Sequence, residues 1–134
     1  MKILFIDTSS FNVTISYIED NVIKFMFNDE IRDDMSSKIM PIIRDGSIES
    51  SIELSDLDRI IVCNGPGSFT GIRIGVTIAK TIAWALKKDI ITISTLELYA
   101  STSFDTKYII PMINARRGYV YAGVYDNNLN NVVS

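Results

Sequence analysis

The sequence predicts an α/β fold in which helices pack on a mixed five-stranded sheet. Three observations predict it. Residues 2–27 hold three short apolar or alternating runs separated by polar turns, the pattern of an antiparallel meander. Beyond them, helical and strand patterns alternate, which builds a sheet with helices laid on it. Between the two, Gly65-Pro66-Gly67-Ser68-Phe69-Thr70-Gly71 joins the apolar run Ile60-Ile61-Val62-Cys63 to a long helix-forming segment.

Taken in order, strands are expected at 2–7, 12–18 and 22–27, with turns at Thr8-Ser9-Ser10 and Glu19-Asp20-Asn21. A first helix follows over 33–44, running on to about 50, with Met35, Ile39, Ile42 and Ile43 as its apolar side; Gly46 and nearby serines blur its end. Ser55-Asp56-Leu57-Asp58 fits a short helical turn before a strand at 59–63. The long helix is expected over 68–88, then a strand at 90–94, a short helix near 95–102, and two strands at 107–113 and 119–125. The chain divides into a lobe of residues 1–104 and a stub, 105–134, whose asparagine-rich end reads as a frayed tail.

In the glycine turn, Pro66 fixes its own φ while the flanking glycines reach backbone angles closed to other residues. Either Ser68 or Thr70 can cap the helix. Such a turn aims backbone N–H groups above the strand, a geometry that holds phosphates elsewhere. A P-loop requires Gly-Lys-Ser/Thr where this chain has Gly71-Ile72-Arg73, and the dinucleotide fingerprint requires a third glycine three residues after the second, whereas Gly67 and Gly71 are four apart. Two readings stand: a tight structural turn, or a phosphate loop of Asp7, Thr8, Ser9, Gly65, Gly67, Ser68 and Gly71.

At about 100° per residue, Phe69, Ile72, Val76, Ala79, Ala83 and Leu86 fall on one face of the long helix, and Ile74, Ile78, Ile82 and Ala85 nearly opposite. One face covers the sheet; the other needs the first helix or a partner. The remaining stripe carries Arg73, Thr77, Lys80, Thr81, Lys88 and the single Trp84, a composition common at binding surfaces. The expected partner surface therefore comprises Met35, Ile39, Ile42, Ile43, Arg73, Ile74, Thr77, Ile78, Lys80, Thr81 and Trp84. Gly71 and Gly75 either let another backbone approach closely or serve only the turn.

Read as one string, Gly65-Pro66-Gly67-Ser68-Phe69-Thr70-Gly71-Ile72-Arg73-Ile74-Gly75 resembles the signature of the TsaB family, also called YeaZ. Further matches are Ile3-Leu4-Phe5-Ile6-Asp7-Thr8-Ser9, Ile39-Met40-Pro41, Ser94-Thr95-Leu96 and Asn114-Ala115-Arg116-Arg117-Gly118-Tyr119-Val120-Tyr121. The resemblance implies half of the fold shared by actin, Hsp70 and sugar kinases, related to ribonuclease H. It also implies a noncatalytic subunit in the synthesis of threonylcarbamoyladenosine beside the tRNA anticodon. Such a subunit pairs with the catalytic paralogue TsaD, with the ATPase TsaE joining the larger complex; its first two helices serve a homodimer or the docking of TsaD. By the same resemblance, Asp7-Thr8-Ser9 stands where catalytic relatives hold an acid near phosphate and Mg²⁺; read on their own, Asp7 and Thr8 satisfy backbone groups of a hairpin turn. The sequence departs from the family pattern at Met35-Ser36-Ser37-Lys38, Asn114 and Tyr119.

Composition narrows the chemistry. With 134 residues, 47% hydrophobic and 22% charged, the chain reads as about one globular domain. Charged and polar residues break the apolar runs short of the roughly 18 residues of a membrane span, and Met1-Lys2 leads straight into a strand, so a cytoplasmic location without a membrane partner is expected. Histidine is absent and Cys63 is the one cysteine, which removes zinc sites, Ser-His-Asp hydrolysis and Cys-His proteolysis. Cys63 at the end of an apolar strand reads as a buried inert thiol. No metal or other cofactor is expected. Residues 1–60 hold six basic and twelve acidic side chains, residues 61–134 seven and four, for a net charge of −3. Without a basic cluster interleaved with aromatics, tRNA is expected to reach the chain only through a complex. The alternative from another class is a nucleotide-binding ATPase or small-molecule kinase of the same fold.

Overall fold

The computed structural model describes residues 1–101, 108–115, 117–126 and 128–131. Three strands, β1 (Lys2–Asp7), β2 (Asn12–Glu19) and β3 (Val22–Glu30), form the antiparallel meander. Helix α1 (Met35–Ser50) and a 3-10 turn (Leu54–Asp56) lead to β4 (Arg59–Cys63), and helix α2 (Phe69–Leu86) leads to β5 (Asp89–Ile93). The sheet order is β3-β2-β1-β4-β5, with β4 parallel to both β1 and β5. This is the mixed five-stranded sheet of the actin-like half fold.

One face of the sheet holds the core. Leu4 and Ile6 of β1, Val13, Ile15 and Tyr17 of β2, and Ile60 and Val62 of β4 meet Ile39 and Ile43 of α1 and Ala79, Ile82 and Ala83 of α2, all of them buried. The period-two alternation of the strands aims these side chains at the helices. Tyr17 donates its phenol hydrogen to the Ile43 carbonyl oxygen at 2.6 Å, and burial pushes its pKa up from the ordinary value of 10.0. The helix continues through Gly46, where a Cβ would stand 2.7 Å from the Tyr17 and Phe25 rings: the glycine is where α1 rests on the sheet. It ends at Ser51, whose φ is 58°.

β3 runs three residues past its expected end because Asn28, Asp29 and Glu30 stay paired with Thr14, Val13 and Asn12. After β5, helix α3 (Thr95–Ala100) is followed by β6 (Tyr108–Ile109), β7 (Met112–Asn114), β8 (Val120–Ala122) and β9 (Tyr125–Asp126). The two expected late strands are each broken, at Pro111 and Gly123, into an interrupted hairpin pairing β6 with β9 and β7 with β8. Within the expected frayed tail, the described residues 128–131 fold back, the backbone N–H groups of Asn128 and Asn130 donating to Asp126 Oδ1 at 2.9 Å; residues 127 and 132–134 lie outside the described residues. The 104/105 boundary, residue 107 of the expected strand, the end of the expected short helix at 102, and Arg116 lie outside the described residues.

By length and composition α2 is apolar enough to cross a bilayer. Here it lies along β4, with Gly71, Gly75, Ala79, Ile82 and Ala83 buried.

Candidate functional site

The glycine turn is closed by the chain itself. Gly65, at φ 101°, and Pro66 are joined by a cis peptide bond, and the turn then enters α2 with Ser68 as its cap, its Oγ accepting from Gly71 N at 3.2 Å. Ser68 N donates to the Ser9 carbonyl oxygen at 2.7 Å, and Ile72 N to the Ser68 carbonyl oxygen at 2.9 Å. Thr8 Oγ1 donates to the Gly71 carbonyl oxygen at 2.6 Å. The β1–β2 turn thus sits on the first turn of α2, so close that a Cβ on Gly71 would overlap the Thr8 carbonyl oxygen and one on Gly75 the Thr8 hydroxyl. The backbone that Gly71 and Gly75 admit belongs to this chain.

Asp7 is 8% exposed and its Oδ1 accepts from Ser9 N at 2.9 Å and Ser9 Oγ at 2.6 Å, a side-chain turn that fixes the hairpin. On the far side, Thr95 N donates to the Gly65 carbonyl oxygen at 2.9 Å, and Cys63 Sγ lies 3.0 Å from Thr95 Oγ1. Burial pushes the Cys63 thiol up, away from the thiolate a nucleophile needs. Beside the turn lies a cleft of 430 Å³ lined by Ser9, Ser10, Phe11, Gly67, Ser68, Phe69, Ile113, Ala115 and Tyr121. Of the residues expected in a phosphate loop, Ser9, Gly67 and Ser68 reach it, while Asp7, Thr8, Gly65 and Gly71 are buried behind. The described lining carries no cation to neutralise a phosphate and no carboxylate to hold Mg²⁺. Among the described residues no cluster of three metal-ligating side chains occurs.

The helical layer has the opposite character. Trp84 is 85% exposed and Phe69 75%, and between them on α2 stand exposed Arg73, Thr77, Lys80 and Thr81. The two apolar faces expected of α2 merge into a single buried arc, except for Phe69 and Ala85, which are exposed. Gly71, Gly75, Ala79, Ile82 and Ala83 form its centre, and Ile72, Val76 and Leu86 on one side and Ile74 and Ile78 on the other are half-buried. Ile82 is core rather than second face, because the glycines let the helix sink onto Thr8 and Ile6. Ser36, Thr70, Arg73, Ile74, Thr77 and Ile78 line a groove of 380 Å³ between the start of α1 and α2.

Of the expected partner surface, Met35, Ile42, Ile74 and Ile78 are half-buried and Arg73, Thr77, Lys80, Thr81 and Trp84 exposed. Ile39 and Ile43 are corrected: both are fully buried against the strands, so they support α1 from beneath. Met40, Pro41 and Ile48 are the exposed apolar residues of α1, with Ile48 72% exposed. Their signal was available, since 40, 41 and 48 fall on the side away from 39, 43 and 46.

Fold and surface define a class: an actin-like α/β domain whose glycine turn is plugged by its own first hairpin and whose helical layer lies open. A sequence model of the TsaD family, tRNA N6-adenosine threonylcarbamoyltransferase, matches residues 30–133. The chain is 39% identical over 127 residues to the tRNA threonylcarbamoyladenosine biosynthesis protein TsaB of Bacillus subtilis, covering 93% of this chain and 55% of that protein. With the Escherichia coli protein of the same name it shares 30% identity over 135 residues, covering 98% and 58%. The structure of YeaZ from Pseudomonas aeruginosa superposes with a TM-score of 0.88 at 25% identity, over 99% of this chain and 65% of that one. The chain therefore belongs to the TsaD family and to its TsaB, or YeaZ, branch; it spans somewhat more than half the length of the curated TsaB relatives it matches.

Proposed function

We propose that this chain is a noncatalytic scaffold subunit that binds and supports TsaD in threonylcarbamoylation of the adenosine adjacent to the tRNA anticodon. The observation that carries this reading is the open helical layer: Trp84 and Phe69 of α2 stand in solvent, and a groove runs between the start of α1 and α2. Large exposed aromatic side chains are common anchors of a partner surface. The glycine turn supports the same reading from the other side. Its Ser68, Gly71 and Ile72 N–H groups are already used by this chain's own oxygens, so none of the three is free for a phosphate.

On this reading the transferase chemistry belongs to the partner, TsaE joins the larger assembly, and tRNA is engaged through the complex. The Bacillus and Escherichia relatives carry the name of a threonylcarbamoyladenosine biosynthesis protein. Reconstituting the transferase reaction with TsaD and TsaE from the same organism, with and without this chain, tests the role; turnover is expected to require it. A titration of the isolated chain with ATP and Mg²⁺ separates the kinase or ATPase alternative. Saturable binding would favour that enzyme class over the scaffold.

A further inference from the structure

We propose that the open edge of β3 pairs antiparallel with β3 of a second copy of this chain, centred on Phe27, so that Lys24 of each copy meets Glu30 of the other and the two sheets run on as one. The inference goes beyond the scaffold reading and uses no residue of α2.

β3 ends the sheet, and its strand neighbour is β2. Spanning Val22–Glu30, it is the longest strand among the described residues. An edge strand turns every second N–H and C=O outward, and among the described residues the outward groups of residues 22–29 take no partner. Edges are ordinarily guarded by proline, by lysine or by being short. β3 has no proline, and its single lysine, Lys24, is the extra residue of a bulge, since Tyr17 stands opposite Phe25 and Ile18 opposite Ile23. Beyond the bulge the strand is regular and without a cation, and Met26 there is 49% exposed.

Charge selects the occupant and the register. β3 carries a cation near its start and two acids, Asp29 and Glu30, at its end, so it complements itself when turned end for end. A two-fold axis at Phe27 sets Lys24 opposite the copy's Glu30 twice over, Phe27 opposite Phe27, and Met26 opposite Asn28. Asp29 falls opposite Phe25, its Oδ1 already accepting from Glu30 N at 2.8 Å. Moving the axis forward to Asn28 sets Lys24 against Arg32, and moving it back to Met26 sets Glu30 against Val22 and Asp29 against Ile23. Glu30 meets Arg32 of its own chain at 3.3 Å with both side chains exposed, so the copy's lysine adds a second cation to an open carboxylate. Helix α2 packs on β4, three strands from this edge, and stays open for a partner of its own. The paired segment is short, which makes the association weak and concentration-dependent.

The test is sedimentation equilibrium of the chain from about 5 to about 1000 µM in about 50 mM NaCl, where exposed ion pairs are little screened. Variants are Lys24→Glu, Glu30→Lys, the charge swap Lys24→Glu/Glu30→Lys, and Trp84→Ala, each checked for fold by circular dichroism. The wild type is expected to be a monomer at the lowest concentration and to dimerise in the upper range. Each single charge variant should weaken self-association by about tenfold or more, and the swap should restore it to within about threefold of the wild type. Mixed together, the two single variants should associate with each other, because their β3 charges are complementary only across the pair. Trp84→Ala should leave self-association unchanged. A wild type that stays monomeric throughout would overturn the proposal and leave the scaffold reading standing. Self-association unmoved by the single charge variants would also overturn it, and its loss in Trp84→Ala would place the joint on α2.

Discussion

The Thr8 hydroxyl donates a 2.6 Å hydrogen bond to the Gly71 carbonyl oxygen across 63 residues of sequence, tying the first hairpin to the first turn of α2. The same hydroxyl fills the space a Cβ on Gly75 would need. Gly75→Ala is expected to destabilise the fold by about 1–3 kcal/mol through overpacking, and Thr8→Ala by about 1 kcal/mol through the lost hydrogen bond. In the Thr8→Ala background Gly75→Ala should cost less, since the overlapping hydroxyl has gone. Urea denaturation of the four proteins measures that coupling, and strict additivity would mean the contact is not made.

Tyr17 gives an alkaline signature. Its phenol titrates above the ordinary 10.0 in the fold, so the unfolded chain loses its proton first as pH rises. The stability this group contributes is intact below pH 10 and drains away through the window above it. Tyr17→Phe should cost about 1 kcal/mol at neutral pH through the lost bond to Ile43, and should show a shallower fall in Tm than the wild type above pH 10. Parallel Tm profiles for the two would contradict the buried phenol.

Trp84→Ala and Thr77→Arg should impair association while leaving the monomer's Tm within about 1 °C, because both side chains stand in solvent. Ile43→Ala, by contrast, should cost about 2–5 kcal/mol of stability, as expected of a fully buried side chain on the core face of α1. Thermal melts beside a binding titration separate the two classes.

Asp7→Ala removes an acceptor of two hydrogen bonds within the hairpin turn. It is expected to lower stability by about 1–2 kcal/mol and to leave turnover of the assembled transferase, normalised to folded chain, unchanged. A folded Asp7→Ala subunit that abolishes turnover would assign the carboxylate a phosphate role.

Much of this was legible in the sequence, for identifiable reasons. The alternation in β1 and β2 and the Gly65–Gly71 punctuation are local signals, and the elements they mark lie where local chemistry places them. What escaped depended on contacts distant in sequence. Gly46 reads as a helix end until the Tyr17 and Phe25 rings are seen beneath it. Ile39 and Ile43 read as partner residues because period alone cannot say which side of α1 the sheet occupies. The two apolar faces of α2 became one arc because Gly71 and Gly75 lower the helix onto Thr8, so that both flanks approach the chain's own core. In the phosphate-loop set, residue types alone did not reveal that Ser9 already accepts from Ser68 N.

The most direct test of the scaffold reading is size-exclusion chromatography with light scattering on an equimolar mixture of this chain and the TsaD subunit of its own organism. The account predicts a single peak at the mass of a one-to-one complex, resolved into its components by Trp84→Ala. Two independent peaks from the wild-type mixture would contradict it.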